Sequence, residues 1–222
     1  IIYYLILIML KKFTFVDLFS GVGGFRIPLE KLGGKCVAYS EIDKNAMEVY
    51  RNNFNTDKEI YLGDITKVKN APTADLIVGG VPCQAWSVAG KKKGFDDPRG
   101  KLWEDSIRLV KKNKPKAFIF ENVKGLYDPR NKGSLDLIIS EFRKCGYDVF
   151  HKVLNAYDFG LPQNRDRLFI VGIRVDIKLD FNFPIPTSNS KPLAKIFDNL
   201  DIKLSHLNKK KFIPKNLFGE KI

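Results

Sequence analysis

Cysteine and histidine are scarce in this sequence. Three cysteines, Cys36, Cys83 and Cys145, lie far apart among 222 residues, no CxxC pair occurs, and there are 2 histidines. A zinc site requires several such ligands at short spacings, so we expect no metal site. An odd, sparse cysteine content also argues against a disulfide framework and is typical of the reducing cytoplasm, where we expect the protein to work. The simplest expectation is one reactive thiol and two buried ones.

A membrane-spanning apolar run is also missing. The stretch IIYYLILIML at residues 1–10 is too short for a bilayer, which requires about 20 residues. It has no basic segment before it and no small-residue cleavage site after it, so it does not match a signal peptide. We therefore expect no membrane association. Residues 1–12 are an extension with two interpretations: either the natural start is Met9 and the preceding residues are foreign, or the segment packs on the core.

Acidic residues are outnumbered. The chain has 25 Asp and Glu against 38 Lys and Arg, which gives a net charge of +13 and a pI near 9.5. Such a surplus favours a polyanionic partner, nucleic acid before an anionic membrane surface. A lysine-rich surface that only confers solubility has the same composition. Hydrophobic residues at 44% are ordinary for a globular protein, so the chain can bury one sizeable core.

Strand and helix patterns alternate along the chain. Apolar runs predict strands over 13–19, 35–43, 59–65, 74–80, 116–123, 147–155 and 167–173. Helical spacing predicts helices over 25–33, 44–54, 102–113 and 134–146, and beyond Pro184 the pattern disappears. This alternation is typical of an α/β fold with a doubly wound, mainly parallel, Rossmann-like sheet.

Glycines, acids and a cysteine follow the predicted strands. The turn over 20–24 and the residues Glu41, Asp64, Cys83 and Glu121 all come after a strand candidate. Because doubly wound sheets bind ligands at the carboxyl ends of their strands, these residues are expected to converge on one rim. Glu41 stands where a nucleotide-binding sheet places a ribose carboxylate, and Asp64 could accept from an adenine amino group. Each acid alone is better explained as a solvated strand end, but their joint placement favours an adenosine-containing cofactor.

Four segments resemble the cytosine-5 DNA methyltransferase family of bacterial restriction-modification systems. In order, they are FVDLFSGVGGFRIPLEKLG, GGVPCQAWSVAGKKKGFDDPRG, ENVKGL and GLPQNRDRLFIVGI. The resemblance covers Phe13 to Arg174, and its combination of Pro-Cys-Gln, Glu-Asn-Val and Gln-x-Arg-x-Arg is far more specific than a glycine turn. It implies a sheet of the S-adenosylmethionine-dependent methyltransferase type, with a catalytic and cofactor-binding domain over residues 13–182.

The resemblance also implies catalytic roles. Cys83 matches the nucleophile, whose thiolate adds to carbon-6 of cytosine and so activates carbon-5. Glu121 matches the acid that hydrogen-bonds the base N3, which requires a raised pKa in a dry pocket. Arg165 and Arg167 resemble the pair that holds the base O2, and alternate residues of a strand face the same side. The other interpretation of the arginines, solvated charges on an exposed strand, fits the intervening Asp166.

The implied cofactor is S-adenosylmethionine, and the implied substrate is double-stranded DNA with the target cytosine flipped out. The residues expected to contact the cofactor are Phe19, Ser20, Gly21, Gly23, Gly24, Glu41, Ile42, Asp64, Ile65, Pro82 and Leu102. Segment 85–101 is expected to be a mobile basic lid. The residues expected to contact DNA are Gln84, Ser87, Lys91, Lys92, Lys93, Arg99 and Gln163.

The family's target-recognition region and its closing Gly-Asn-Ser segment are not recognisable, and residues 183–222 resemble only the lead-in to that lobe. Two interpretations follow: one half of a split enzyme completed by a second polypeptide, or an inactive truncated remnant. RNA cytosine methylation would use the same chemistry, whereas a nicotinamide oxidoreductase would leave Cys83, Glu121 and the arginines without a role. We expect the chain alone to bind DNA without sequence preference and to methylate nothing measurable. A cognate restriction endonuclease is expected only as a genetic partner.

Overall fold

The computed structural model of the chain describes residues 12–82 and 102–187. Its strands are β1 (Phe13–Leu18), β2 (Gly34–Tyr39), β3 (Ile60–Tyr61), β4 (Leu76–Gly80), β5 (Ala117–Val123), β6 (Tyr147–Asn155) and β7 (Asp166–Arg174). Its α-helices are α1 (Arg26–Lys31), α2 (Lys44–Asn53), α3 (Leu102–Asn113) and α4 (Lys132–Lys144). Within the described residues, no helix has the length and apolar character needed to cross a membrane.

The described strands form one seven-stranded sheet in the order β3-β2-β1-β4-β5-β7-β6. The pairs β1–β2, β2–β3, β1–β4 and β4–β5 are parallel. Strand β7 runs antiparallel to both β5 and β6 at the other end of the sheet. The predicted α/β class with a mainly parallel sheet is confirmed. Since β1 lies near the centre and the crossovers lead away from it on both sides, the carboxyl ends of β1, β2, β4 and β5 share one edge.

Among the described residues, two helices cover each face of the sheet. Helices α3 and α4 cover one face, where Trp103, Phe118 and Phe142 are fully buried and the rings of Phe118 and Phe142 lie 4.2 Å apart. The opposite face packs against α1 and α2 through Leu29 and Tyr50. Successive residues of β5 alternate between these two apolar layers, as the pleat requires. Burial on both faces explains why the central strands have almost continuous apolar sequences.

Several predicted boundaries differ from the structure at the site edge of the sheet. Strand β2 ends at Tyr39, well before the predicted end, because Asp43 accepts a hydrogen bond from the Ala46 N–H (2.9 Å) and so caps α2. Strand β3 has only two residues, and Asp64 instead begins a short 3₁₀ turn by accepting from the Thr66 N–H (3.0 Å). Glu121 lies inside β5 rather than after it. After β2 and β3 side-chain capping thus replaces strand pairing, whereas at Glu121 the pairing continues.

Other boundaries match closely. Helix α3 and strand β6 have the predicted ends, and Gly146 follows α4 with φ +90°, the left-handed conformation expected of a glycine that ends a helix. Beyond β7 the chain returns onto the sheet, since Phe181 is buried with its ring 5.2 Å from that of Phe150. The domain division at residue 182 stays a prediction.

Candidate active site

A strained turn joins β1 to α1. Gly21 and Gly23 have φ of +54° and +98°, and a Cβ on Gly23 would overlap the ring of Phe54. Phe19 itself has φ +52°, which is unusual for a bulky residue. The Ser20 N–H donates to the Ser40 carbonyl (2.8 Å), so the turn is fixed to the chain that leaves β2. Backbone strain of this kind concentrates at ligand-binding sites.

The Glu41 carboxylate organises the same edge. Its Oε2 accepts from the Gly21 N–H (2.8 Å), and its Oε1 accepts from the N–H groups of Ile42 and Asp43 (both 2.8 Å). The Tyr61 hydroxyl donates to the Glu41 carbonyl (2.7 Å). Two of the predicted cofactor residues, Gly21 and Glu41, are therefore in direct contact. Tyr61 was not predicted, because nothing in a short strand shows where a tyrosine hydroxyl will reach.

Asp64 is a charged acceptor on the neighbouring strand end. Its Oδ1 accepts from the Thr66 N–H (3.0 Å) and from the Thr66 hydroxyl (2.8 Å). These hydrogen bonds, with the Lys67 ammonium 3.7 Å away, lower the pKa of the Asp64 carboxyl. The carboxylate is ionised at neutral pH and has acceptor capacity left for a ligand.

A cavity of about 180 Å³ opens between these residues. Most of the predicted cofactor residues line it, namely Phe19, Glu41, Ile42, Asp64, Ile65, Pro82 and Leu102. The remaining ones, Ser20, Gly21, Gly23 and Gly24, form the adjacent turn. Ser40 and Gly80 line the cavity without having been predicted, although both stand beside predicted residues in the sequence.

The predicted catalytic acid and one arginine form an ion pair. The Arg167 Nε lies 2.6 Å from the Glu121 Oε1. In the β5–β7 register Glu121 is opposite Phe169, two residues from Arg167, so the pair is a diagonal neighbour on one face of the sheet. Burial raises the pKa of the Glu121 carboxyl, although the charges of Arg167 and Arg165 lower it. The direction agrees with the expectation for an acid that must donate a proton.

Strand β4 connects the ion pair to the cavity. Gly80 pairs with Glu121 across β4 and β5, and it lines the cavity together with Pro82. Pro82 directly precedes Cys83 in the sequence. The predicted residues Cys83, Gln84, Ser87, Lys91, Lys92, Lys93 and Arg99 lie outside the described part of the chain. Gln163 is described and is exposed in the loop between β6 and β7.

Asn122 holds β4 against β5. It is 1% exposed, and its Nδ2 donates to the Val81 carbonyl (3.2 Å) while its Oδ1 accepts from the Val123 N–H (2.9 Å). The end of β4 is thus fixed relative to Glu121. A second polar residue after the apolar run AFIF is the sequence signal for Asn122, although the sequence analysis assigns it no role.

The two described cysteines are poor nucleophiles. Cys36 is buried, and burial raises the pKa of its thiol to about 12. Cys145 is only partly buried, contrary to the expectation, yet burial also raises the pKa of its thiol. Since the thiolate is the reactive form, neither residue has the environment of a catalytic cysteine.

A cluster of buried charged groups lies beneath the turn and was not predicted. Arg26 donates to both oxygens of Glu59 (2.7 and 2.6 Å) and to the Tyr50 hydroxyl (3.2 Å), which in turn donates to Asp17 (3.1 Å). Burial raises the pKa of the Asp17 carboxyl to about 7. An aspartate within the apolar run FTFVDLF was the only sequence signal of this cluster.

A larger groove of about 540 Å³ runs between α3 and α4. Ile107 and Leu137 contribute to its apolar floor, and Lys111 and Glu141 lie among its charged lining residues. None of the predicted site residues lines it, so the groove is not part of the candidate site.

Solved structures share this architecture. A prophage-encoded protein of E. coli, described as a DNA modification methyltransferase, superposes with a TM-score of 0.66 at 28% identity, covering 80% of this chain and 51% of that one. The Entamoeba histolytica methyltransferase EhMeth superposes with a TM-score of 0.60 at 22% identity, covering 82% and 58%. The fold is that of the S-adenosylmethionine-dependent methyltransferases.

The sequence comparisons specify the family. The profile of C-5 cytosine-specific DNA methylases matches residues 13–220, further along the chain than Arg174, and the chain belongs to this family. The type II methyltransferase M.HgiBI of Herpetosiphon aurantiacus is 54% identical over 215 residues, which is 96% of this chain and 49% of that protein. M.HhaI of Haemophilus parahaemolyticus is 44% identical over 80% of this chain and 54% of its own. The chain thus spans about half the length of these curated relatives.

Proposed function

We propose that this chain is the catalytic lobe of a DNA cytosine-5 methyltransferase, which transfers a methyl group to carbon-5 of a flipped cytosine. One observation carries the proposal: the Glu121–Arg167 pair lies beside the end of β4, and β4 leads through Pro82 of the cavity to Cys83. An acid and a cation thus lie at the edge of the sheet, and the next residue of the chain after Pro82 carries a thiol. That is the set of groups that a covalent attack on a pyrimidine needs.

S-adenosylmethionine is the proposed cofactor, and it supplies the methyl group. The residues fit it chemically: Phe19 offers an aromatic ring, while Glu41 and Asp64 offer carboxylate acceptors for ribose hydroxyls and an adenine amino group. The cavity of about 180 Å³ is smaller than the roughly 300–1,000 Å³ typical of drug-sized ligand sites. We therefore expect the cavity to hold part of the cofactor, with the remainder along the glycine turn.

In the proposed mechanism, Cys83 attacks carbon-6 of cytosine as a thiolate and forms a covalent bond. Negative charge then develops toward the base N3 and O2. Glu121, whose pKa is raised by burial, donates a hydrogen bond or proton at N3, and Arg165 and Arg167 stabilise the charge at O2. Carbon-5 is then electron-rich, and the bound cofactor would supply the methyl group from its sulfonium sulfur and leave as the neutral thioether S-adenosylhomocysteine. Loss of the carbon-5 proton expels the thiolate and restores the aromatic ring.

Double-stranded DNA is the proposed substrate. The net charge of +13 supplies a salt-sensitive attraction to phosphates, and we propose that Gln163 and the basic segment around Lys91–Lys93 contact the DNA. Because the thiol must reach carbon-6, the cytosine leaves the stack. The partly buried Glu121 supports a site that encloses a single base.

Two other functional states remain alternatives to an active enzyme. The chain would be one half of a split methyltransferase if a second polypeptide supplies base-edge contacts, or an inactive fragment if nothing does. RNA cytosine methylation would use the same catalytic groups and would differ from DNA methylation only in its substrate. A nicotinamide oxidoreductase would leave the Glu121–Arg167 pair unused.

Calorimetry with the 222-residue chain tests the cofactor. We expect S-adenosylmethionine to bind more tightly than NADH, and Glu41→Gln to weaken binding because the carboxylate would lose one of its anionic oxygens. Glu48→Gln, at an exposed position of α2, is the control and should change nothing. Preference for NADH would refute the assignment.

A duplex containing 5-fluorocytosine tests the nucleophile, because fluorine at carbon-5 prevents the final elimination. With the complementary half of a relative supplied in trans, we expect a covalent adduct that is resistant to denaturation. Cys83→Ser should abolish the adduct, and Cys36→Ser and Cys145→Ser should retain it. Adduct formation by Cys83→Ser would overturn the proposed role.

Transfer of tritium from labelled S-adenosylmethionine to mixed-sequence DNA tests whether the lobe acts alone. We expect no measurable incorporation by the 222-residue chain and DNA binding without sequence preference. Site-specific incorporation would exclude the split and inactive interpretations. Tritium incorporation into RNA equal to that into DNA would indicate that RNA is also a substrate.

A further inference from the structure

Asp166, the residue between the two arginines, has its own binding partners. Its Oδ2 lies 3.0 Å from the Lys124 Nζ, and its Oδ1 accepts from the Asn155 Nδ2 (2.9 Å). Lys124 directly follows β5, which carries Glu121, and Asn155 ends β6. Asp166 therefore connects the strands on both sides of β7 at the point where β7 begins. A merely solvated acid, the interpretation that the sequence allowed, would have no such partners.

Asn155 uses its full hydrogen-bonding capacity in this network. Its Oδ1 accepts from the N–H groups of Tyr157 (2.9 Å) and Arg165 (3.2 Å). Its Nδ2 donates to Asn164 (2.6 Å) and to Asp166. An asparagine side chain has two lone pairs and two donor hydrogens, so no other residue type of this size could make all four bonds. The backbone of Arg165 is bound directly, and both ends of the loop before β7 are fixed.

The strand pleat places these groups behind the arginine. Val123 is opposite Arg167 in the β5–β7 register, and Asn155 is opposite Asp166 in the β6–β7 register. Neighbouring residues of a strand point to opposite faces, so Asp166 is held on the face away from the Glu121–Arg167 pair. The Arg167 guanidinium also donates to the Asp166 carbonyl (2.7 Å). A shift of Asp166 would therefore move the group that contacts Glu121.

We propose that Lys124, Asn155 and Asp166 form a clamp that positions Arg165 and Arg167 against the catalytic acid Glu121. The three are positioning residues: they act through the arginines and not on the base. The role of the clamp in catalysis rests on the function proposed above. The contacts that form the clamp do not depend on that function.

The titration of Glu121 in the isolated chain tests the clamp without cofactor or DNA. The positive charges of the arginines lower the pKa of Glu121 and burial raises it, so loosening the arginines should raise it further. For Asn155→Ala we expect a rise of about 0.5 pH unit or more, because no charge is altered and only positioning is lost. The signal is a ¹³C-labelled glutamate carboxyl resonance, assigned by its disappearance in Glu121→Gln.

The variant Asp166→Asn distinguishes two effects on the pKa of Glu121: the positioning of the arginines and the direct influence of the Asp166 charge. Removing a nearby negative charge would by itself lower the pKa of Glu121, whereas a released arginine raises it. We expect a rise, smaller than that in Arg167→Met. The matched control is Asn113→Ala, which removes a side-chain hydrogen bond to the Leu109 carbonyl on α3. An unchanged or lowered pKa in both Asn155→Ala and Asp166→Asn would overturn the clamp, and it would leave the cofactor and adduct experiments unaffected.

Discussion

Two arginine–glutamate pairs lie at opposite ends of the sheet, and they differ in how fully their hydrogen bonds are satisfied. In the first, Arg26 and Glu59 have side chains only 3% and 7% exposed, with two short contacts between them. Arg26 also donates to Glu30, and its guanidinium carbon lies 4.4 Å from the Phe54 ring centroid. In the second, Arg167 and Glu121 are 23% and 25% exposed and share one contact.

The difference separates a structural ion pair from the one proposed to be catalytic. A carboxylate such as that of Glu59, with both oxygens held by one guanidinium, has little capacity left for chemistry. Glu121 has one oxygen paired with Arg167, and its pKa is raised. Protonation of Glu121 would therefore break few contacts. The same two residue types thus support the fold in one place and, in the proposed site, keep an oxygen that no guanidinium of the described residues holds.

The largest expected effect comes from breaking the buried pair. Arg26→Met leaves the Glu59 charge unpaired in the interior, and we expect the free energy of unfolding to fall by about 3–5 kcal/mol. Urea denaturation followed by circular dichroism measures the loss. Arg143→Met, an exposed arginine on α4, is the control and should stay within about 0.5 kcal/mol of the parent.

The double variant sharpens that test. Adding Glu59→Gln to Arg26→Met removes the uncompensated charge, so part of the lost stability should return. If Arg26→Met costs no more than Arg143→Met, the cluster is not the structural support that its burial indicates.

The next effect in size concerns Asp17, the acid inside the cluster. Burial raises its pKa to about 7 in the folded state, from 3.8 when exposed. The stability that this acid contributes is fully present below pH 3.8 and is lost as the pH rises through 7. Asp17→Asn has no such loss, so its free energy of unfolding relative to the parent should rise by roughly 2–3 kcal/mol between pH 5 and pH 8.

Asp75→Asn is a control for which the pH dependence of stability should have the opposite sign. Hydrogen bonds from Lys116 and Thr14 lower the pKa of Asp75, despite its partial burial. Its contribution is present above its unfolded pKa and is lost as the pH falls through the folded value. The parent should therefore lose its advantage over Asp75→Asn in acid. Parallel pH profiles for both variants would contradict the assignments.

Two features could be predicted from the sequence: the alternation of strands and helices, and the convergence of Glu41, Asp64 and the glycine turn. Both depend on the local sequence pattern and on the parallel topology. The cluster around Arg26 could not be predicted, since its partner Glu59 is 33 residues away and only the folded sheet brings them together. The role of Asn155 was hidden for the same reason, as its four bonds connect groups that no periodicity relates. Local rules predict where a chain turns, but they do not predict which distant side chains meet there.

The smallest expected effect on stability comes from Glu121→Gln, and it tests the comparison most directly. The folded-state pKa of Glu121 is raised, so its contribution to stability is present below its unfolded pKa and is lost as the pH rises through the folded value. At pH 7 the variant should therefore match the parent within about 1 kcal/mol or exceed it. Glutamine can still accept a hydrogen bond from the Arg167 Nε, but it cannot donate a proton to the base N3.

Adduct formation by Glu121→Gln with the 5-fluorocytosine duplex should consequently slow by about 10²–10⁴-fold. A loss of stability as large as that of Arg26→Met, or an unchanged adduct rate, would show that the pair at β5 and β7 is structural like the other one.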